Sequence, residues 1–229
     1  MTTDPAALLT LLQIADGLFP AGAFAHSLGL ETYAQAGIVK DGRGLDAFVR
    51  AHLEGSAGPG DAVAVGAAVR FAGDLDGCLT LDARIDAMRI VPEFTAASKQ
   101  MGRQMLRVAG AWERDAFIER FAARVEDGAT PGHYPVVFGV VAGRAGIDVE
   151  SAAAAYLYAT ASMLVNAALR LLAIGQVEGQ RLLAGLRPRI ATLAMRAARA
   201  DVGDMWSFTP GLELAGLRHA ELDMRLFRS

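Results

Sequence analysis

Apolar side chains recur along most of this chain at the spacing of amphipathic helices. Over residues 45–53, four apolar positions and one histidine fall at i, i+3, i+4, i+7 and i+8, which places all of them on one face of a helix. Similar stripes occupy residues 94–108 and 117–125. The pattern therefore predicts a succession of helices, each with one buried face and one solvated face.

Aspartate, proline and glycine mark where these helices begin and end. Asp148 is placed to cap a long alanine-rich helix, and a break near Pro92 separates two helices. Two further prolines predict boundaries, because proline is tolerated at the start of a helix but interrupts its interior. We expect Pro59 to open a helix, and the helix that follows Gly175 to stop before Pro188.

One segment departs from the helical pattern. Residues 136–141 form a β-branched run that is compatible with a buried strand. We interpret the run as a helix, because no second strand-like segment is available to pair with its backbone. The whole chain, 1–229, is therefore predicted to form one all-α domain, a bundle of roughly ten helices, with 219–229 as a short tail.

Composition supports a folded helical protein and argues against nucleic-acid binding and against a membrane span. Hydrophobic residues make up 53% of the chain and charged residues 21%, which is too apolar for a disordered chain. The net charge of −3 supplies no basic field for binding nucleic acid. Residues 151–169 are uncharged but mostly alanine with interspersed polar residues, which indicates a buried helix rather than a membrane span. The first residues lack the basic start of a secretory signal, so we expect a cytoplasmic protein.

The sequence lacks the common signatures of catalysis and of cofactor binding. No phosphate-binding glycine loop, nucleophile elbow or zinc-binding histidine pair occurs in it. Cys78 is the only cysteine, and no two of the four histidines stand at ligand spacing. We therefore expect no cofactor, no metal ligand set and no catalytic residue. An all-α enzyme with an unrecognised pocket is the alternative.

Small residues line one face of the predicted alanine-rich helix. Ala152, Ala155, Ala159 and Ser162 recur at i+3 and i+4, so a neighbouring helix can approach this face closely. Asn166 interrupts the apolar run, and if it is buried its amide needs a hydrogen-bond partner. Two interpretations of Asn166 stay open, a contact with a second subunit or a local bond within one subunit.

The end of the chain combines apolar side chains with arginines. Met224, Leu226 and Phe227 stand beside Arg225 and Arg228. A segment this short does not hold a structure in isolation. Apolar anchors next to arginine are typical of the residues that dominate binding energy at protein interfaces, which indicates that the tail docks on a partner.

Several blocks of sequence, in order, are similar to one known family. The blocks are residues 11–14, 19–31, 100–102, 137–139, 169–183 with its Gly-Gln-x-x-Gly-Gln core, and 225–229. Through them the chain resembles the urease accessory protein F (UreF) family along nearly its whole length. Two places depart from the family pattern: residues 173–174 are Ala-Ile where Pro-Leu is usual, and Ala220 and Asp223 replace a glutamate and a tyrosine.

The resemblance implies a dimeric all-α chaperone that is not an enzyme. Members of the family bind urease accessory protein D, also called H, and the GTPase accessory protein G, and the assembly docks on apo-urease. GTP hydrolysis by that partner then drives nickel delivery. We expect a scaffold that places the GTPase against the urease-binding partner and, as a further hypothesis, gates GTP hydrolysis.

The resemblance also assigns site residues. Those expected to bind partners are Phe24, His26, Ser27, Glu31, Arg225 and Phe227. Those expected on the dimer or GTPase face are Tyr158, Asn166, Gln176 and Gln180. The tail and the N-terminal motif would contact accessory protein D, and the symmetric face of a homodimer formed through the alanine-rich helix would contact the GTPase. The alternative function is a nickel-carrying protein that binds the ion through His26 or His219 at a dimer interface.

Overall fold

Helices make up all the regular secondary structure that this computed structural model describes, over residues 4–112 and 114–229. The elements in chain order are α1 (Pro5–Ala15), a 3-10 turn (Ala23–Ala25), α2 (Leu30–Gln35), α3 (Gly42–His52), a π-helical segment (Leu53–Ala62), α4 (Val63–Arg70), α5 (Leu75–Met88), α6 (Pro92–Trp112), α7 (Ala116–Glu126), α8 (Tyr134–Arg144), α9 (Val149–Leu171), α10 (Gln176–Arg199), a second 3-10 turn (Val202–Asp204) and α11 (Pro210–His219). They pack around one continuous core, and the predicted all-α fold in a single domain is confirmed.

The predicted helix boundaries at Pro92 and Asp148 are confirmed. Pro92 is the first residue of α6. The carboxylate of Asp148 accepts a hydrogen bond from the N–H of Ser151 at 2.9 Å, which satisfies one of the free amide groups at the start of α9. Asp41 and Asp74 cap α3 and α5 in the same way.

The β-branched run 136–141 lies in α8, as predicted, at the centre of the domain. Every residue from 135 to 142 is buried, because α4, α6 and α9 pack around this helix. A helix that is apolar on all sides requires such enclosure. Gly139 permits the closest approach: a Cβ at this position would overlap the carbonyl oxygen of Val65 in α4.

The long alanine-rich helix α9 is a core helix of this domain. Among the residues described, it alone is long and apolar enough to cross a membrane by length and composition. However, α10, α4, the π-helical segment and α1 pack against it, and Leu157, Leu164 and Val165 are buried. Enclosure by other helices of the same chain accounts for its apolar character.

The prediction that a helix stops before Pro188 is wrong, because α10 continues through it to Arg199. Pro188 has no N–H to donate to the carbonyl of Ala184. Both residues are exposed, so water can satisfy that oxygen. Leu186 and Ile190, on either side of the proline, are buried where α10 packs on α9. This continuous apolar stripe holds the two halves of α10 in one helix.

The prediction that Pro59 opens a helix is also wrong. Pro59 lies inside the π-helical segment, which joins α3 and α4 without a break. The wide turns of this segment leave carbonyl groups available, and residues 205–209, which we call the strap, use two of them. The N–H of Phe208 donates to the carbonyl of Gly55 at 2.7 Å, and the N–H of Trp206 donates to that of Pro59 at 3.3 Å. The strap therefore supplies the partners that the irregular helix needs.

Candidate partner-binding site

The tail folds back onto the N-terminal motif, residues 19–31. His219, predicted as the first residue of the tail, is the last residue of α11, so the tail is residues 220–229. The main-chain oxygen of Ser229 accepts hydrogen bonds from the N–H groups of Ser27, at 2.6 Å, and Leu28, at 3.1 Å. It also accepts one from the Ser27 hydroxyl at 2.9 Å, across 202 positions of sequence. The tail thus obtains from the N-terminal motif the structure that it cannot hold in isolation.

Glu31, in the first turn of α2, holds the middle of the tail. Its carboxylate accepts hydrogen bonds from the N–H of Leu226 at 2.7 Å and from the N–H of Phe227 at 3.0 Å. Burial raises the pKa of Glu31, but hydrogen bonds from these two amides and from His219 outweigh it and bring the pKa below its ordinary value. A buried, ionised carboxylate therefore faces donors from the tail.

His219, the last residue of α11, lies between two carboxylates. Its Nδ1 is 2.7 Å from Oε2 of Glu93, and its Nε2 is 3.1 Å from Oε2 of Glu31. Since ionised carboxylates only accept hydrogen bonds, both contacts are satisfied when the ring carries both protons. The guanidinium of Arg225 adds a third bond, to Oε1 of Glu93 at 3.2 Å, so α2, α6, α11 and the tail meet in one ionic network.

Arg170, in the last turn of α9, lies between two aromatic rings of the site. Its guanidinium carbon is 5.0 Å from the ring centroid of Phe24 and 4.5 Å from that of Phe227, which is within cation–π range. Neither Arg170 nor Glu93 was predicted from the sequence as a site residue. An arginine near a helix C-terminus and a glutamate near an N-terminus are explained equally well by the helix dipole, so neither gave a distinct signal.

The structure brings together all six residues that were predicted to bind partners. We call the cluster the clasp; it consists of Phe24, His26, Ser27, Glu31, Glu93, Arg170, His219 and residues 224–229. His26 completes it, with Nδ1 2.9 Å from the hydroxyl oxygen of Ser229. Burial and the nearby charge of Arg228 lower the pKa of His26 to about 4, so its imidazole is neutral at physiological pH.

The clasp buries its polar side and presents an apolar one to solvent. Its buried members include His26, Ser27, Glu31 and Phe227. By contrast, Phe24 is 62% exposed, Met224 80% and Leu226 51%, and Arg225 is exposed beside them in sequence. We call these four side chains the clasp surface. The clasp surface thus combines an exposed aromatic ring, two exposed apolar chains and an arginine. Aromatic residues, methionine and arginine are enriched at protein interfaces.

The four residues predicted for the dimer or GTPase face lie on α9 and α10, and Asn166 lines a pocket together with Phe24 and Arg170 of the clasp. Tyr158 is exposed on α9, and Asn166 is half-buried two turns further along. Nδ2 of Asn166 is 3.5 Å from the hydroxyl oxygen of Ser162, a long bond that leaves most of the hydrogen-bonding capacity of the amide unused. Gln176 and Gln180 are exposed on the first turns of α10. The structure describes a single chain, so the dimer assignment of these residues stays a prediction.

A small cavity, partly open to solvent, lies between the N-terminal motif, the π-helical segment, α6 and α9. Asp61 accepts hydrogen bonds from Arg89 at 2.8 Å and from the hydroxyl of Tyr156 at 3.0 Å. Burial, reinforced by the charge of Asp61, raises the pKa of Tyr156 well above its ordinary value, and burial lowers the pKa of His52 to about 4. The cavity volume is about 70 Å³, which accommodates a few waters and is smaller than cofactor pockets.

The histidines that could hold a metal are already engaged. His219 has both ring nitrogens bonded to carboxylates, and His26 is bonded to the tail. Over 4–112 and 114–229, no group of three or more histidine, cysteine or carboxylate side chains is arranged to hold a metal ion. Burial also raises the pKa of Cys78 to about 12, which keeps its thiol protonated. A nickel ion at His26 or His219 would have to displace hydrogen bonds of the clasp.

Comparison with known proteins identifies the family. The family model UreF matches residues 39–187, which is more than half of the chain. The chain belongs to the UreF family. The urease accessory protein UreF of Paenarthrobacter aurescens (strain TC1) is 34% identical over 96% of this chain and 97% of its own length. Those of Arthrobacter sp. (strain FB24) and Methylobacterium radiotolerans are 35% and 36% identical, each over at least 96% of both chains.

UreF membership confirms the resemblance that the sequence blocks predicted. The segment matched by the UreF model contains Glu93 and Arg170, whereas the other members of the clasp lie outside it. The UreF relatives, however, are similar over 96–98% of the chain. Their shared name is that of an accessory protein in urease maturation.

Proposed function

We propose that this chain is a scaffold for urease maturation, which binds other maturation factors and performs no chemistry of its own. Its membership of a family of urease accessory proteins supports the proposal. The observation that carries it is the clasp. Buried hydrogen bonds fix the tail in one position, and an apolar surface with one arginine is thereby presented in a fixed geometry.

The partner that we propose for the clasp surface is urease accessory protein D, also called H. Phe24, Met224 and Leu226 supply apolar contact area, and Arg225 supplies a directional cation. An aromatic or arginine anchor at the centre of an interface contributes on the order of 2 kcal/mol or more. The buried clasp residues act through the surface residues that they position.

We propose that a homodimer forms through α9 and that its symmetric face binds the GTPase accessory protein G. Ala155, Ala159 and Ser162 of the line of small residues on α9 are partly exposed, with Tyr158 and Asn166 on the same helix, which supports close packing of a second copy. Gln176 and Gln180 extend this face onto α10. Apo-urease would join through the assembled complex, in the cytoplasm, where hydrolysis of GTP by the partner drives nickel insertion.

Co-purification tests the assignment of the clasp surface. Arg225→Ala removes one bond to Glu93 but leaves His219 bonded to the same carboxylate, so the circular dichroism of the helices should be unchanged. We expect the variant to lose most of the accessory protein D that the unmodified chain retains. Arg103→Ala, at an exposed position of α6, is the matched control and should bind normally. Undiminished binding by the Arg225 variant would refute its role.

Two measurements separate the scaffold from the nickel-carrier alternative. Size-exclusion chromatography with light scattering, run on the chain alone and with both accessory proteins, should give a dimeric scaffold that gains mass with each partner. Equilibrium dialysis of the isolated chain against nickel should show negligible uptake. Tight stoichiometric uptake would favour the carrier and count against the scaffold.

A further inference from the structure

Positive charge is concentrated on α10, although the chain as a whole carries a net charge of −3. Between Gln176 and Arg199 the helix contains one acidic residue, Glu178, and no lysine. Its arginines are Arg181, Arg187, Arg189, Arg196 and Arg199. All five are exposed, so the solvated side of this helix is strongly basic.

Four of these arginines share one face of α10. We call Arg181, Arg189, Arg196 and Arg199 the arginine face. They follow one another through Gly185 and Thr192 in helical steps of three or four residues, and with a rise of 1.5 Å per residue they span about 27 Å. Arg189 pairs with Glu54. Within the described part of the chain, the other three have no carboxylate at ion-pair distance, so their charge is not neutralised internally.

The strap presents two aromatic rings beside this face. Trp206 is 51% exposed and Phe208 75%. Their exposure does not come from a loose segment, because the backbone of both residues is hydrogen-bonded to the π-helical segment and the Ser207 hydroxyl lies 3.1 Å from that of Ser56. The rings are therefore fixed in place with much of their apolar surface in water.

A groove runs between the strap and α10. It is lined by Glu54, Pro188, Arg189, Arg196, Trp206 and Phe208. Its volume is about 840 Å³, which is large enough to receive a peptide segment rather than a few waters.

The groove combines arginines with exposed aromatic rings, and protein interfaces are enriched in both residue types. Here arginines alternate with small residues such as Gly185 and Thr192, and two aromatic rings complete the other wall.

We propose that this groove binds an acidic, partly apolar segment of a partner protein, with carboxylates on the arginine face and an apolar side chain against Trp206 and Phe208. Charge complementarity selects the acidic partner, since Arg196 in the groove, and Arg181 and Arg199 beyond it on the same helix face, lack carboxylates of their own. A polypeptide is favoured over nucleic acid, because the chain as a whole is acidic and would repel an extended polyanion. The groove shares no residue with the clasp, so the test of this proposal is independent of the test of the scaffold function.

Trp206 provides the signal for the test. The chain has two tryptophans, and replacing the other, Trp112→Phe, makes the emission report on the groove alone. The probe is a peptide of glutamates and leucines at helical spacing, long enough to span the arginine face. Two control ligands are titrated in parallel, at low and at physiological salt. One is the same peptide with lysine in place of glutamate, and the other is a single-stranded oligothymidylate of equal length.

We expect the acidic peptide to bind with a change in Trp206 emission, more weakly as salt rises, and the lysine peptide not to bind. Arg181→Glu combined with Arg196→Glu should weaken binding by about tenfold or more, and Phe208→Ala should weaken it without changing its salt dependence. The matched control, Arg103→Glu combined with Arg107→Glu on the exposed side of α6, should bind like the parent.

Three results would overturn the proposal. The first is failure of the acidic peptide to bind. The second is equal binding by the α10 variant with Arg181→Glu and Arg196→Glu and by the α6 control. The third is tighter binding of the oligothymidylate than of the acidic peptide. Circular dichroism of each variant confirms that it is folded. All substituted positions are exposed, so the helical signal should be retained.

Discussion

Replacing Glu31 by glutamine should release the tail while leaving the domain folded. The carboxylate accepts two tail amides, at 2.7 and 3.0 Å, and glutamine would turn a donor group toward one of these donors or toward His219. A hydrogen bond to a charged group is worth about 1.5–3 kcal/mol. Losing one such bond, and leaving the other to the neutral oxygen of the amide, weakens tail docking by about 3 kcal/mol. That corresponds to about a hundredfold in the equilibrium between docked and released tail. The central helices α4, α8 and α9 pack among themselves and should be little affected.

Hydrogen–deuterium exchange measured by mass spectrometry tests this expectation. Peptides covering residues 220–229 should lose protection by about the same hundredfold factor, while peptides covering 136–141 of α8 should exchange as slowly as before. Glu119→Gln, at an exposed position of α7, is the matched loss of a carboxylate and should change neither region. If the tail of the Glu31 variant stayed as protected as in the parent, the clasp would not be held by this carboxylate.

Two further predictions concern stability. Acidification from pH 6.5 towards 4 should lower the thermal unfolding midpoint, because burial lowers the pKa of both His26 and His52 to about 4. A histidine whose pKa is lowered by folding contributes stability that is complete above pH 6.5. This stability is lost as the pH falls to the pKa of the folded state. A flat midpoint over this range would contradict it. Gly139→Ala should cost about 1–3 kcal/mol in urea unfolding, because its Cβ would overlap the Val65 carbonyl. Gly110→Ala, which meets open space, should stabilise the chain by about 0.5–1 kcal/mol, and equal midpoints for the two variants would argue against the α4–α8 contact.

The helices were predictable wherever an apolar stripe coincided with a local boundary signal. α9 has both, with a capping aspartate at Asp148 and a long uncharged run. The two prolines show where such reasoning fails, because the effect of a proline depends on what surrounds the carbonyl that it leaves free. At Pro188 that carbonyl faces water, and at Pro59 the strap, far away in sequence, stabilises an irregular helix. Neither circumstance can be inferred from neighbouring residues.

The clasp was predictable in its parts but not as an assembly. The family resemblance pointed to Glu31 and to Phe227 separately, whereas their hydrogen bond spans 196 positions. Arg170 and Glu93, which hold the same cluster, carry no motif of their own. Contacts of such long range are set by how the helices pack, and a single sequence records no direct trace of them. The sequence also did not show which of the six expected partner-binding residues could touch a partner. Four of them are buried in the clasp, and only Phe24 and Arg225 are exposed.

Binding of accessory protein D to a chain that lacks residues 220–229 tests the central claim most directly. Light scattering of the chain mixed with accessory protein D measures the complex, and circular dichroism verifies that the shortened chain keeps its helices. We expect a stable complex with the complete chain and none with the shortened one, together with loss of urease maturation. A shortened chain that still formed the complex and matured urease as well as the complete one would contradict it.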